Sequence, residues 1–126
     1  MLKYFLLAGF VALSDQLTKA LIIKNILDNQ FIKVNSYLYL VHFKNEGAAF
    51  SFLSDAGGWQ RYFLSIVAVI ASVFIIFMIK KHRDELYTAL GLSLILGGAI
   101  GNLYNRISLG HVTDFLYFHF KDYYWP

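Results

Sequence analysis

Residues 62–79 read YFLSIVAVIASVFIIFMI, from Tyr62 to Ile79, without one charged side chain. A helix rises about 1.5 Å per residue, so a run of this length crosses most of a ~30 Å hydrocarbon layer. Trp59, Arg61 and Tyr62 introduce the run and Lys80-Lys81-His82-Arg83 stop it, the aromatic and basic residues that mark the edges of a bilayer. The stretch reads as a transmembrane helix, and everything on either side of it is read against that.

Composition agrees. Of 126 residues 58% are hydrophobic, 18% aromatic and only 15% charged, far more apolar than a soluble domain of this size needs to be. The formal charge of +3 is small and scattered, which excludes the clustered basic face of a nucleic-acid binder. There is no cysteine, so disulfides, thiolate metal sites and cysteine nucleophiles are excluded. His42, His82, His111 and His119 show no H-E-x-x-H or comparable spacing, so no metal site is expected.

Upstream lies a first span at about 2–23. Met1-Leu2-Lys3 could open a cleaved leader, but the apolar stretch continues through Leu21-Ile22-Ile23 with no small-residue cleavage site, so it reads as a retained helix. Asp15 and Lys19, four residues apart, share one face. They are either an ion pair at the membrane edge with Lys19 reaching outward, or a polar face turned towards a site between helices, chiefly as a brace. From about 24 to 59 the chain turns to short β-branched and aromatic runs, Phe31-Ile32-Lys33-Val34 and Tyr37-Leu38-Tyr39-Leu40-Val41-His42-Phe43, which favour strands of a small sheet on the membrane surface. Asn45-Glu46-Gly47 reads as a turn and Asp55-Ala56-Gly57-Gly58 as a loop.

Downstream, a third span covers about 86–104 and contains Gly91, Gly97, Gly98 and Gly101, all read as close-packing positions, with Gly97 and Gly101 forming a small-xxx-small face. After Arg106 come a loop and an aromatic tail through Trp125-Pro126 that reads as an interfacial belt. The dense basic turn 80–83 suggests a cytoplasmic end, leaving the first loop and the tail outside. Raw charge counting does not settle this, because the first loop itself carries Lys24, Lys33, Lys44 and Arg61. The expected fold is a single integral membrane domain, mainly α-helical. It has three transmembrane helices, a small extracytoplasmic β-sheet between helices 1 and 2, and an extracytoplasmic tail from 105 to 126.

Polar groups collect where the third span ends: Asn102, Asn105, Arg106 and, beyond Gly110, Asp114. Such groups cost several kcal/mol each when stranded in hydrocarbon, so a membrane-edge carboxylate is a functional candidate by default. Two carboxylates sharing one proton can hydrolyse a peptide without a Ser, Cys or metal nucleophile: one activates water while the other, protonated, polarises the scissile carbonyl. Asp114 fits one half of such a dyad. Taken without further context, it also fits a cap or an ion-pair partner of Arg106.

The spaced motifs D-Q-x-T-K (15–19), N-x-G-A-A-F-S (45–51), G-N-x-x-x-R (101–106) and V-x-D-F (112–115), in that order, resemble the lipoprotein signal peptidase, or signal peptidase II, family. The resemblance runs from about Leu2 to Pro126. It implies an aspartic peptidase of the bacterial cytoplasmic (inner) membrane with four transmembrane helices, no cofactor and an active site facing the periplasm or cell exterior. It implies cleavage of prolipoproteins on the N-terminal side of a diacylglyceryl-modified cysteine. Membrane lipid and a globomycin-type inhibitor are the implied further partners, and the chain is expected to be a monomer. Asp114 lines up with the first catalytic aspartate, and Asn102 and Arg106 with residues that hold the substrate backbone and lipid-bearing segment. Asn45 lines up with a substrate-contacting or loop-shaping position, and Asp15 and Lys19 with the paired polar positions of the first helix.

Two departures stand out. Asn105 replaces an Asp usual before the Arg, so electrostatic support of Arg106 is expected to be weaker. The family's second catalytic aspartate, in an F-N-x-A-D motif opening a fourth helix, has no counterpart here. Asp122 lacks the motif, and Asp15 is engaged by Lys19. The chain is therefore expected to be a fragment of a longer enzyme, inactive as it stands. A serine–lysine peptidase built from Ser14 or Ser51 with Lys19 finds no support in an activated hydroxyl. The non-enzyme alternative is a catalytically inactive scaffold or pore protein assembled through the glycine-faced third helix.

Overall fold

The computed structural model describes residues 1–45, 57–120 and 123–125. The chain runs α1 (Leu2–Asn25), β1 (Phe31–Lys33), β2 (Leu38–Asn45), α2 (Gln60–Lys81), α3 (Leu86–Leu109), β3 (Val112–Phe120) and β4 (Tyr123–Trp125). Most of the N-x-G-A-A-F-S motif beyond Asn45, together with Asp55-Ala56 and Asp122, lies outside the described residues.

All three helices are long and apolar enough to cross a membrane. Their outward faces are apolar too: Phe10, Ile70 and Phe74 are each more than 60% exposed. Surface of that kind is a liability in water and the stable arrangement in lipid, where each helix satisfies its own backbone hydrogen bonds. The protein is a multi-pass membrane protein.

The buried core is small and sits at the basic end of the bundle, where Tyr4, Ala8, Ile79, Ala89 and Leu96 meet. Tyr4 is 2% exposed and its hydroxyl donates to the Arg83 carbonyl at 3.0 Å, tying the start of α1 to the α2–α3 turn. Helices α1 and α3 run parallel, in a contact read every four residues along α3. Gly97 lies against Ala8 and Val11, Gly101 against the Asp15 carboxylate, and Asn105 against Gln16 and Lys19. A Cβ on Gly97 would sit 2.6 Å from the Ala8 carbonyl oxygen, so only glycine permits this approach. Gly91 and Gly98 differ from expectation: among the described residues a Cβ there meets nothing within 4 Å, so neither is a close-packing position against them.

At the other end lies one antiparallel sheet of order β1-β2-β3-β4. The Asn35 side chain shapes the β1–β2 turn by accepting from the Tyr37 and Leu38 amides at 2.7 and 2.9 Å. The expected sheet is present, and it is larger than the stretch between helices 1 and 2 supplies. Half of its strands come from the aromatic tail, which composition alone had suggested as an interfacial belt; Tyr39 and Tyr117 face one another across the β2–β3 pair with ring centroids 6.3 Å apart. Asn45 ends β2 as a paired strand residue opposite Val112, where a turn was expected. α3 also runs on past the polar cluster to Leu109, and Gly110 closes it with φ +79°, a left-handed conformation that favours glycine.

Candidate active site

The site forms where the upper turns of α1 and α3 meet the β2–β3 pair. Four of its side chains are set by helical spacing. Asp15 and Lys19 stack on α1, and Asn102 and Asn105, three apart on α3, turn to meet them. Lys19 is 3% exposed, and its Nζ donates to Asp15 Oδ2, Asn102 Oδ1 and Asn105 Oδ1, each at 2.8 Å. An ammonium has three protons and all three are engaged, which is what permits a charge at this depth. The alternative of a lysine reaching outward to the membrane surface is not what the chain adopts.

Gln16 completes the network and was not singled out by sequence reading. Its Nε2 donates to the Gly101 carbonyl at 2.9 Å and to Asn105 Oδ1 at 3.2 Å, while Asn105 Nδ2 donates back to Gln16 Oε1 at 3.1 Å. The signal available was membership of the D-Q-x-T-K motif, in which Gln16 follows Asp15 directly in sequence. Asn105, expected to matter through Arg106, instead bonds across to α1.

Asp114 approaches from the sheet. A bulge between Leu40 and Phe43 shifts the β2–β3 register by one residue, pairing Phe43 with Asp114 and Asn45 with Val112. Asn45 therefore lies diagonally across from Asp114, within side-chain reach, and the two are hydrogen-bonded. Burial pushes the Asp114 carboxyl above the usual carboxylate range, opposed by the Asn45 hydrogen bond and by the charges of Lys19 and Arg106. Asp114 thus holds its proton longer than a solvated aspartate does.

A cleft of about 260 Å³ opens between these elements. Asp15, Lys19, Asn102, Thr113 and Asp114 line its polar side and Val112, Phe115, Leu116 and Phe118 its apolar side. All six residues picked out from the sequence gather here: Asp15, Lys19, Asn102 and Asp114 line the cleft, Asn45 bonds Asp114, and Arg106 acts on Asp114 electrostatically. Among the described residues no group of three His, Cys, Asp or Glu is arranged to hold a metal ion. The histidines are used otherwise: buried His42 is hydrogen-bonded through Nδ1 to the Ile26 carbonyl oxygen at 2.8 Å, and His82 meets Glu85 at 3.0 Å.

Residues 7–126 match the family model described as signal peptidase (SPase) II. The chain belongs to the signal peptidase II family. Among relatives, the chain is 44% identical to a lipoprotein signal peptidase of Janthinobacterium sp. (strain Marseille), covering all of this chain and 76% of that protein. It is 46% identical to the lipoprotein signal peptidase of Ralstonia nicotianae, over 90% of this chain and 66% of that protein. The chain thus spans about two-thirds to three-quarters of the length of these signal peptidases. Two bacterial membrane enzymes solved by the in meso method share the fold at 29% identity. One has a TM-score of 0.86 and covers 100% of this chain and 76% of that one; the other has 0.76, with 92% and 74%. The family is one of peptidases, and its fold places this chain's polar residues around one cleft.

Proposed function

We propose that this chain carries the catalytic cleft of a prolipoprotein signal peptidase, with Asp114 as one carboxylate of an aspartic dyad. The observation that carries the reading is a half-buried carboxyl, held towards its protonated form, at the edge of a cleft walled by a closed polar network. A protonated carboxyl can polarise a scissile carbonyl while an ionised partner takes a proton from water. Asp15 shares the cleft, but its 2.8 Å ion pair with Lys19 commits it to bracing α1 against α3. The partner carboxylate is therefore sought outside the described residues.

Asn102 and Arg106 hold the substrate backbone and its lipid-bearing segment beside Asp114. The apolar side of the cleft suits the diacylated cysteine, and a globomycin-type peptide inhibitor would occupy the same volume. The basic turn 80–83 faces the cytoplasm of a bacterial inner membrane, and the sheet and cleft face the periplasm. The enzyme works as a monomer.

The test is precursor processing in cells depleted of their own enzyme. Two forms are compared: the 126-residue chain, and the same chain continued by the family's fourth helix. The continued form is expected to restore mature lipoprotein and its Asp114→Asn variant to leave the diacylated precursor. Processing that survives Asp114→Asn would overturn the assignment.

A further inference from the structure

The first turn of α2 reaches the site through Arg61. Its Nε donates to the Arg106 carbonyl at 2.8 Å, and its Nη2 donates to the Ile107 carbonyl. These two carbonyls belong to the last turn of α3, where a cation is favoured by the helix dipole; the Arg106 carbonyl also accepts from the Gly110 amide at 3.1 Å, so Arg61 shares that acceptor with the helix cap. A planar guanidinium can grip two adjacent oxygens at once, which an ammonium cannot. Gly110 adjoins the joint, where its φ of +79° favours glycine; a Cβ there would make only ordinary contact with Arg61 Nη1, at 3.5 Å.

From this joint the chain needs only four residues to reach Asp114. Arg106, whose carbonyl Arg61 holds, is also the residue whose charge acts on Asp114. We propose that Arg61 is a positioning residue: by clamping the exit of α3 it fixes both Arg106 and the start of β3, and so sets the depth at which Asp114 sits in the cleft. Arg61 touches neither Asp114 nor the cleft, and its effect passes through the α3–β3 joint. Asp114 is faced by Lys19 from α1, Asn45 from β2 and Arg106 from α3, with Asp15 on the same cleft wall. None of these changes identity when Arg61 is replaced. The inference rests on Asp114 being the working carboxyl, and its test does not require cleavage.

The test follows the Asp114 side-chain carboxyl by ¹³C NMR through a pH titration of the full chain in lipid nanodiscs. Wild type is compared with Arg61→Ala, Arg61→Lys and Ile79→Ala. Ile79 is fully buried at the opposite end of α2, so its truncation reports loss of packing alone. Arg61→Ala is expected to admit water and lower the Asp114 midpoint by about half a pH unit or more, because burial is the largest cause of its elevation. Arg61→Lys should recover part of that shift, and Ile79→Ala should leave the midpoint at its wild-type value despite a lower Tm. An unshifted midpoint in Arg61→Ala, or the same shift in Ile79→Ala, would overturn the proposal. If Arg61→Ala does not fold, Arg61→Lys decides: a small downward shift supports the clamp and none refutes it. Failure of the peptidase reading would show separately, as processing that does not depend on Asp114.

Discussion

Asp114 combines a charge-bearing group with a place that disfavours charge. Its folded-state proton affinity is raised above that of the unfolded chain, chiefly by burial. A raised carboxyl contributes stability that is fully present below its unfolded pKa and lost as pH rises through the folded value. Replacing it with a neutral isostere should therefore stabilise the fold at neutral pH. Asp114→Asn is expected to raise Tm at pH 7, with the difference vanishing as the pH falls below the ordinary aspartate range. Equal Tm values at every pH would mean that the carboxyl is not buried as described. The sequence named Asp114 by motif, and Asp15 with Lys19 by their four-residue spacing. It did not reveal Gln16, because a glutamine carries no charge to stand out in an apolar helix. Nor could it show that Asn45 bonds Asp114: that proximity depends on a one-residue bulge in a strand pair separated by some 70 residues of chain.

At the scale of elements, the contact between α1 and α3 holds the polar network in place. Its close approach depends on Gly97, whose missing Cβ leaves room for the Ala8 carbonyl and Val11. Overpacking of such a site costs about 1–3 kcal/mol. Gly97→Ala is therefore expected to destabilise the bundle in reversible unfolding from detergent micelles, whereas Gly98→Ala, which meets open space, should be neutral or gain up to about 1 kcal/mol of helix propensity. Equal effects at the two positions would contradict the packing described. Helix existence was legible in the apolar runs because hydrocarbon leaves the backbone few alternatives. The division of labour among the glycines was not, because spacing alone does not say which face meets a neighbour. The strands of the aromatic tail were not legible for a related reason: tyrosine and phenylalanine suit both a bilayer interface and a strand, and the pairing with β2 shows only in the structure.

For the whole molecule, three helices pass between a basic end and a sheet end. The cleft lies at the sheet end, and the basic end is closed by the Tyr4–Arg83 hydrogen bond. Because the chain has no cysteine, single substitutions can report sidedness without background labelling. Lys33→Cys in β1 is expected to react with an impermeant maleimide added to intact spheroplasts, and Lys81→Cys at the end of α2 only after permeabilisation. The reverse pattern would invert the proposed orientation and place the cleft in the cytoplasm.

If Asp114 is one carboxylate of the dyad, cleavage at the lipid-modified cysteine depends on it, and mass spectrometry of a synthetic diacylated prolipoprotein peptide reads that dependence. The peptide is incubated in nanodiscs with the chain continued by the family's fourth helix, and with its Asp114→Asn variant. One new product beginning at the diacylated cysteine is expected with Asp114 present, and intact peptide with Asn in its place. Cleavage elsewhere, or at the same bond with Asn at position 114, would contradict it.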